Sequence, residues 1–154
     1  MKNVVLLVVL LFFAFGQNNA QEVNKKNWTL LHERTADWCP FCGTWGWDMK
    51  TRIFEKFRDK NVIFMAVHHS GGLANTTSSE FGSNFTGQGQ PIFYEDGVDV
   101  NVTSNSITQK IEETQWVVDF KETQETIAGV GINAILSEST NTLKVDAKVE
   151  FFNT

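Results

Sequence analysis

Both cysteines of the chain stand in one short stretch, Trp38-Cys39-Pro40-Phe41-Cys42. Two thiols at this spacing can share a disulfide and pass protons and electrons within a single turn. Such a disulfide closes a very small loop. It restricts the unfolded chain little and is a poor structural staple. A cysteine at the start of a helix, by contrast, gains from the positive end of the helix dipole and from free backbone N–H groups. Pro40 suits a first helical position, where a missing N–H is no loss. The chemistry to expect is that of a redox pair. Two plainer readings stand beside it, a permanently oxidised, silent disulfide and a metal site. A tetrahedral metal would need two more ligands, and the other soft candidates are His32, His68 and His69. His68 and His69 close a predicted strand as neighbours, so they point to opposite faces and at most one easily reaches the cysteines.

The elements that must position this pair follow from periodicity. Trp28 to Thr35 reads as a strand that runs directly into the motif. From Gly43 to Asp59 the pattern is helical, with Trp45, Met49, Ile53 and Phe57 at four-residue spacing and Phe54 beside them. Gly43 and Gly46 weaken its first turn, and the close approach of another backbone would account for them. Asn61 to Val67 is a continuous apolar run, expected to be a strand covered on both faces. Ser78 to Phe85 is a short helix candidate. Pro91 to Glu95 reads as a strand, Asp96-Gly97 as a hairpin turn, and Val98 to Thr103 as the return strand. Ser106 to Gln124 reads as a helix with Ile107, Ile111 and Val118 inward, Trp116 and Phe120 as further candidates, and a capping box from Ser106 to Gln109. Beyond Ile127 the character changes. Gly129 to Ser137 and Thr142 to Phe152 alternate as a half-buried hairpin, with Val145, Ala147, Val149 and Phe151 on one face.

The chain of 154 residues carries a net charge of −5 and no basic run, which argues against nucleic acid as a partner. Lys2 and the apolar run Val4 to Phe15 have the form of an export leader. The run is too short to span a bilayer, and no later segment could cross one. Cleavage after Ala20, with Gly16 as the alternative, would leave an exported chain, periplasmic, outer-membrane-associated or extracellular, where disulfides persist. Thirteen Phe and five Trp supply the apolar volume for a core. The expected organisation is a leader over 1–20, an α/β domain over 21–127 with a central mixed sheet flanked by helices, and over 128–154 the first hairpin of a β-rich, sandwich-like domain that continues beyond the fragment.

The segment Glu33-Arg34-Thr35-Ala36-Asp37-Trp38-Cys39-Pro40-Phe41-Cys42 resembles the active-site segment of the thioredoxin superfamily, and Gln90-Pro91-Ile92-Phe93 resembles its proline-led strand. The resemblance covers roughly Asn27 to Glu125. Leader and hairpin together are similar to the Omp28-related and thioredoxin-like secreted proteins of Bacteroidetes-type bacteria. The resemblance implies thiol–disulfide exchange on protein thiols and disulfides, with a further redox partner and no cofactor beyond the Cys39–Cys42 disulfide. Cys39 would be the exposed nucleophile and Cys42 the more buried resolving thiol. Glu33, where the family usually has Asp, would take and return the proton of Cys42, a role that needs its pKa raised by burial. Pro91 would follow a cis bond from Gln90 and leave the preceding backbone free for an extended peptide. Trp38 would shield the site, and Trp38, Pro40, Phe41, Gln90 and Pro91 would meet the substrate. The Pro-Phe dipeptide resembles glutaredoxins and oxidising Dsb-type proteins more than reducing thioredoxins.

Plainer roles remain for these residues. Glu33 could be a satisfied polar group, Pro91 an ordinary strand-initiating proline, and Trp45 and Trp47 core packing rather than a substrate platform. The sequons at Asn27, Asn75, Asn84 and Asn101 would be unused in a bacterium. A non-catalytic binding protein that keeps the scaffold and the disulfide is the main rival. It predicts buried cysteines and a cleft filled by a residue such as Trp45 or Trp47, where an enzyme predicts an exposed, low-pKa Cys39 and a cis bond at Pro91. A peroxide-reducing or metal-delivery activity is the third reading. Peroxide reduction is disfavoured because Ala36, not Thr, stands three residues before Cys39.

Overall fold

The computed structural model describes residues 23–85, 87 and 89–152. The expected leader over 1–20 lies outside them. The described chain falls into two compact units, one of Lys26–Thr126 and one that comprises residues 23–25 and 127–152.

The first unit is mixed α/β. In chain order it runs β1 (Thr29–Ala36), α1 (Trp45–Phe57), β2 (Val62–Ser70), α2 (Thr76–Asn84), β3 (Ile92–Glu95), β4 (Val98–Asp99) and α3 (Ile107–Glu122). The sheet order is β2-β1-β3-β4. β1 pairs parallel with β2 and antiparallel with β3, so it is central, and its last residue hands the chain to the cysteine segment.

Alternation along β1 sorts its side chains to two faces. Leu31 belongs to the core built with Met49, Ile53 and Phe57 of α1, Phe93 of β3, and Ile107, Ile111 and Val118 of α3. Glu33, paired with Phe93, shares that face. Burying each of these large apolar side chains stabilises the unit by about 1.5–3 kcal/mol. His32 lies on the opposite face. It stacks on Tyr94 (centroids 4.5 Å apart, planes 8° apart) and is edge-on to Phe81 and Phe85 at 5.5 and 4.3 Å.

Several expectations are corrected. α1 starts at Trp45, not Gly43, and its buried positions are Gly46, Met49, Ile53 and Phe57. Phe54 is exposed and packs edge-on against Phe64. β2 has no fully buried residue, because it lies at the sheet edge rather than between two strands. α2 begins at Thr76, two residues before the expected start, where Asn75 and Ser78 form a reciprocal capping box. β4 spans only two residues. Asn101 N–H turns back onto Asp99 Oδ1 (2.7 Å) and Asn101 has φ +53°, which ends the pairing. The box expected at Ser106 is absent. The Ser106 hydroxyl instead serves Thr103, accepting from its N–H at 2.8 Å. Trp116 and Phe120 are exposed and stack on each other, while Thr114 is the inward residue between Ile111 and Val118. The Asp96-Gly97 turn is as expected, with φ positive at both residues.

The second unit holds β5 (Ala128–Ser137) and β6 (Thr142–Phe151), paired antiparallel over their full lengths. The cross-strand register puts Ala128, Val130, Ile132, Ala134 and Leu136 opposite Phe151, Val149, Ala147, Val145 and Leu143, so the alternation is as read. The half-burial is not found. Every residue of β6 is exposed in this structure, because a two-stranded ribbon has no second layer to cover its apolar face. Among the described residues no helix is long and apolar enough to cross a membrane.

Candidate functional site

The cysteine segment hangs between the end of β1 and the start of α1 as a run of turns. Cys39 N–H donates to Ala36 O (3.2 Å), and Thr44 N–H and Gly46 N–H both donate to Phe41 O (3.3 and 3.0 Å). The Thr44 hydroxyl also donates toward the Pro40 and Phe41 carbonyls. These bonds wind the segment tightly and delay the helix until Trp45. The cysteines therefore precede the helix instead of opening it, which corrects the expectation of Pro40 at its first position. In place of the helix terminus, one backbone group addresses the sulfur directly: Cys42 N–H donates to Cys39 Sγ at 3.1 Å.

Cys39 and Cys42 form a disulfide with Cα atoms 5.3 Å apart. Both are buried, with 7% and 8% exposure. The expected contrast between an exposed nucleophile and a buried resolving thiol is not found. The cause is local: the two residues pack together with Ala36 under the turn, while their neighbours face outward. Trp38 and Phe41 are 60% and 61% exposed, and Pro40 is exposed between the two cysteines. A buried disulfide thus sits within an exposed aromatic rim.

Glu33 is 2% exposed. Burial pushes its carboxyl up to about 7, against the pull of the Lys50 ammonium and a hydrogen bond from Thr35. Lys50 Nζ stands 3.9 Å from the ring centroid of Trp47, which is itself exposed. Trp45 is partly buried at the edge of the core, its ring 6.4 Å from that of Phe93. Core packing is thus the role of Trp45 but not of Trp47.

The Gln90–Pro91 peptide is cis, as the resemblance implied. Pro91 is buried and lies against Gly46, where an added Cβ would stand 2.7 Å from Pro91 Cγ and 3.3 Å from Phe41 O. Gly46 is what lets the proline-led strand reach the turn that carries the cysteines. Gln90 is half-buried, and its Oε1 is enclosed with no hydrogen-bond partner among the described residues.

Thr35, Asp37, His69, Ser70 and Gly72, none of them among the expected site residues, join the site around the end of β2. His69 Nδ1 is 2.9 Å from Thr35 O, Ser70 Oγ is 3.3 Å from His69 Nε2, and Trp38 Nε1–H donates to Ser70 Oγ at 3.2 Å. Beside this chain, Gly72 N–H donates to Asp37 Oδ2 at 2.9 Å. The register slip between Thr35 and Ala36, opposite His68 and Ser70, leaves His69 as the extra residue of a bulge. His68 takes no part in this chain. No sequence signal points to these contacts, because the His69–Gly72 stretch lies more than thirty residues from Thr35, Asp37 and Trp38 and falls outside the motif. Among the described residues no group of three or more His, Cys, Asp or Glu is placed to hold a metal ion. Comparison with protein-family models, with curated proteins and with solved structures finds no match to the chain.

Proposed function

We propose that the first unit is a thioredoxin-like domain that exchanges disulfides with protein thiols outside the cytoplasm, and that the β5–β6 hairpin opens a β-rich, sandwich-like domain. The order β2-β1-β3-β4, with the cysteine pair after β1 and the proline before β3, supports the first part. The observation that carries the activity is the Cys42 N–H aimed at Cys39 Sγ. A donor at that sulfur stabilises negative charge on it when the disulfide opens, and so favours Cys39 as attacking thiolate and as leaving group.

In the oxidising direction a substrate thiolate attacks Cys39 Sγ, the Cys39–Cys42 bond breaks, and the Cys42 sulfur leaves with the electron pair and takes a proton from Glu33. A second substrate thiolate then attacks the substrate sulfur of the mixed disulfide and releases Cys39 as thiolate. The substrate gains a disulfide and the protein gains two electrons. In the reducing direction every step reverses, with Glu33 receiving the Cys42 proton. A redox partner restores the starting state in either case.

The burial of both cysteines favours a second reading, a secreted binding protein with a silent disulfide. Equilibration in glutathione or dithiothreitol buffers, with alkylation of the reduced form, separates the two. The exchange reading expects a potential between about −270 and −120 mV and Cys39 alkylated first near neutral pH. A pair far more reducing than that, with neither thiol reactive in the folded state, leaves the binding protein.

A further inference from the structure

The exposed indole of Trp38 does not need a protein partner for its N–H, since water would serve. It has one nonetheless, and the partner is itself held. An indole N–H can only donate and a carbonyl can only accept, so with a neutral His69, whose single N–H faces Thr35 O, Nε2 must accept and the bonds run one way. Trp38 Nε1–H donates to Ser70 Oγ, Ser70 O–H donates to His69 Nε2, and His69 Nδ1–H donates to Thr35 O. Both ends belong to the same stretch of chain, at the end of β1 and just before Cys39. The middle belongs to the β2 terminus. The bulge that inserts His69 into β2 gives its ring the reach to Thr35 O. Asp37, between the two ends, is fastened to the same loop by Gly72 N–H. The chain therefore fixes an exposed aromatic surface that borders the disulfide.

We propose that Ser70, held by His69, is a positioning residue that fixes Trp38 as the wall along which a peptide substrate lies while its sulfur reaches Cys39. This rests on the exchange reading. The ligand class is an extended segment of a protein thiol or disulfide with an apolar side chain near the reacting cysteine, because an indole face offers apolar contact rather than charge. A small dithiol, which needs no wall, depends on it less.

The test uses the whole chain with a synthetic peptide dithiol and with dithiothreitol as probes, and compares wild type, Ser70→Ala, Ser70→Thr and His69→Phe. Two quantities are read. One is hydrogen exchange of the Trp38 indole N–H, assigned by its loss in Trp38→Phe. The other is the ratio of the rate constants for reduction of the Cys39–Cys42 disulfide by the peptide and by dithiothreitol. Ser70→Ala and His69→Phe are expected to speed indole exchange by about tenfold and to lower the ratio by about three- to tenfold, while Ser70→Thr, which keeps the hydroxyl, restores both. Faster indole exchange with an unchanged ratio makes the bond structural and overturns the proposal, as does an indole that exchanges alike in all variants. A wild-type protein that reacts with neither probe overturns the exchange reading itself, and that outcome is visible before any variant is compared.

Discussion

Gly46 and Pro91 approach so closely that a Cβ on the glycine would stand 2.7 Å from Pro91 Cγ and 3.2 Å from Pro91 Cβ. A proline ring cannot swing aside, so Gly46→Ala must displace either α1 or the start of β3. Alanine would gain about 1 kcal/mol in helix propensity, against an overpacking cost of about 1–3 kcal/mol. The expected result is a net loss in a denaturant titration, together with slower disulfide exchange as Pro91 is pushed away from the turn. Gly43 is the internal control. A Cβ there meets only Pro40 O, at 3.7 Å, so Gly43→Ala should leave both readouts near wild type. Equal behaviour of the two alanines would show that the contact is slack.

Glu33→Gln removes a carboxyl whose protonated form the fold favours by burial. In the folded chain the group titrates near 7, raised by burial from an ordinary 4.5. Between those values the unfolded chain has lost the proton and the folded chain still holds it, so stability falls as pH rises from about 4.5 through about 7. The full effect is about 3 kcal/mol, since each unit is about 1.4 kcal/mol. Glutamine should flatten this part of the pH–stability curve. It should also slow exchange by about a hundredfold if Glu33 moves the Cys42 proton. A flattened stability curve with unchanged exchange would leave Glu33 as a buried polar group with no part in the reaction.

How much of this was legible beforehand depended on the range of the interaction. The i, i+4 spacing of Met49, Ile53 and Phe57 and the alternation of β6 are local patterns, and both elements are found. The boundaries that slipped did so where a side chain captured a backbone group: Asn75 and Ser78 started α2 early, Asp99 and Asn101 cut β4 short, and Ser106 spent its hydroxyl on Thr103. The cysteine motif marked the site, but its burial and the delayed helix come from turn bonds among residues 36–46 that spacing alone does not reveal. Ser70 and His69 were invisible as a pair with Trp38 because only the parallel pairing of β1 with β2 brings them together. Gly46 shows the same limit. Its oddity in a helix was plain, but its partner, the ring of Pro91, lies forty-five positions away.

Gly71 is the weakest point of the loop that holds Asp37 and Trp38. Its φ is +96°, a conformation side chains resist, and an added Cβ would overlap the Asp37 carboxylate. Gly71→Ala should cost about 2 kcal/mol from the backbone alone. Because Gly72 N–H is the donor to Asp37, the same change should release the Trp38 indole, seen as faster hydrogen exchange at its N–H. Gly89, also at positive φ but with nothing within 4 Å of an added Cβ, should show the stability loss without any change at Trp38. An indole equally protected in both variants would mean that the loop does not hold it.

His32 is 1% exposed, and neither ring nitrogen has a hydrogen-bond partner among the described residues. Burial lowers its pKa from the ordinary 6.5, so the folded chain prefers the neutral ring. Below about 6.5 the unfolded chain takes up a proton that the folded chain refuses, and stability falls as pH drops. This slope opposes that of Glu33 over the range where both act, so wild type should look flatter than either group alone would make it. His32→Phe keeps a ring against Tyr94, Phe81 and Phe85 and removes two orphaned polar atoms, each of which costs about 1–3 kcal/mol when left unpaired. The variant should be more stable near neutral pH and should lose the acid-side fall, exposing the Glu33 slope. Thermal melts at half-unit steps between pH 4 and 8 would check it. An acid limb that survives the substitution would assign the slope to another group and leave His32 as a silent part of the core.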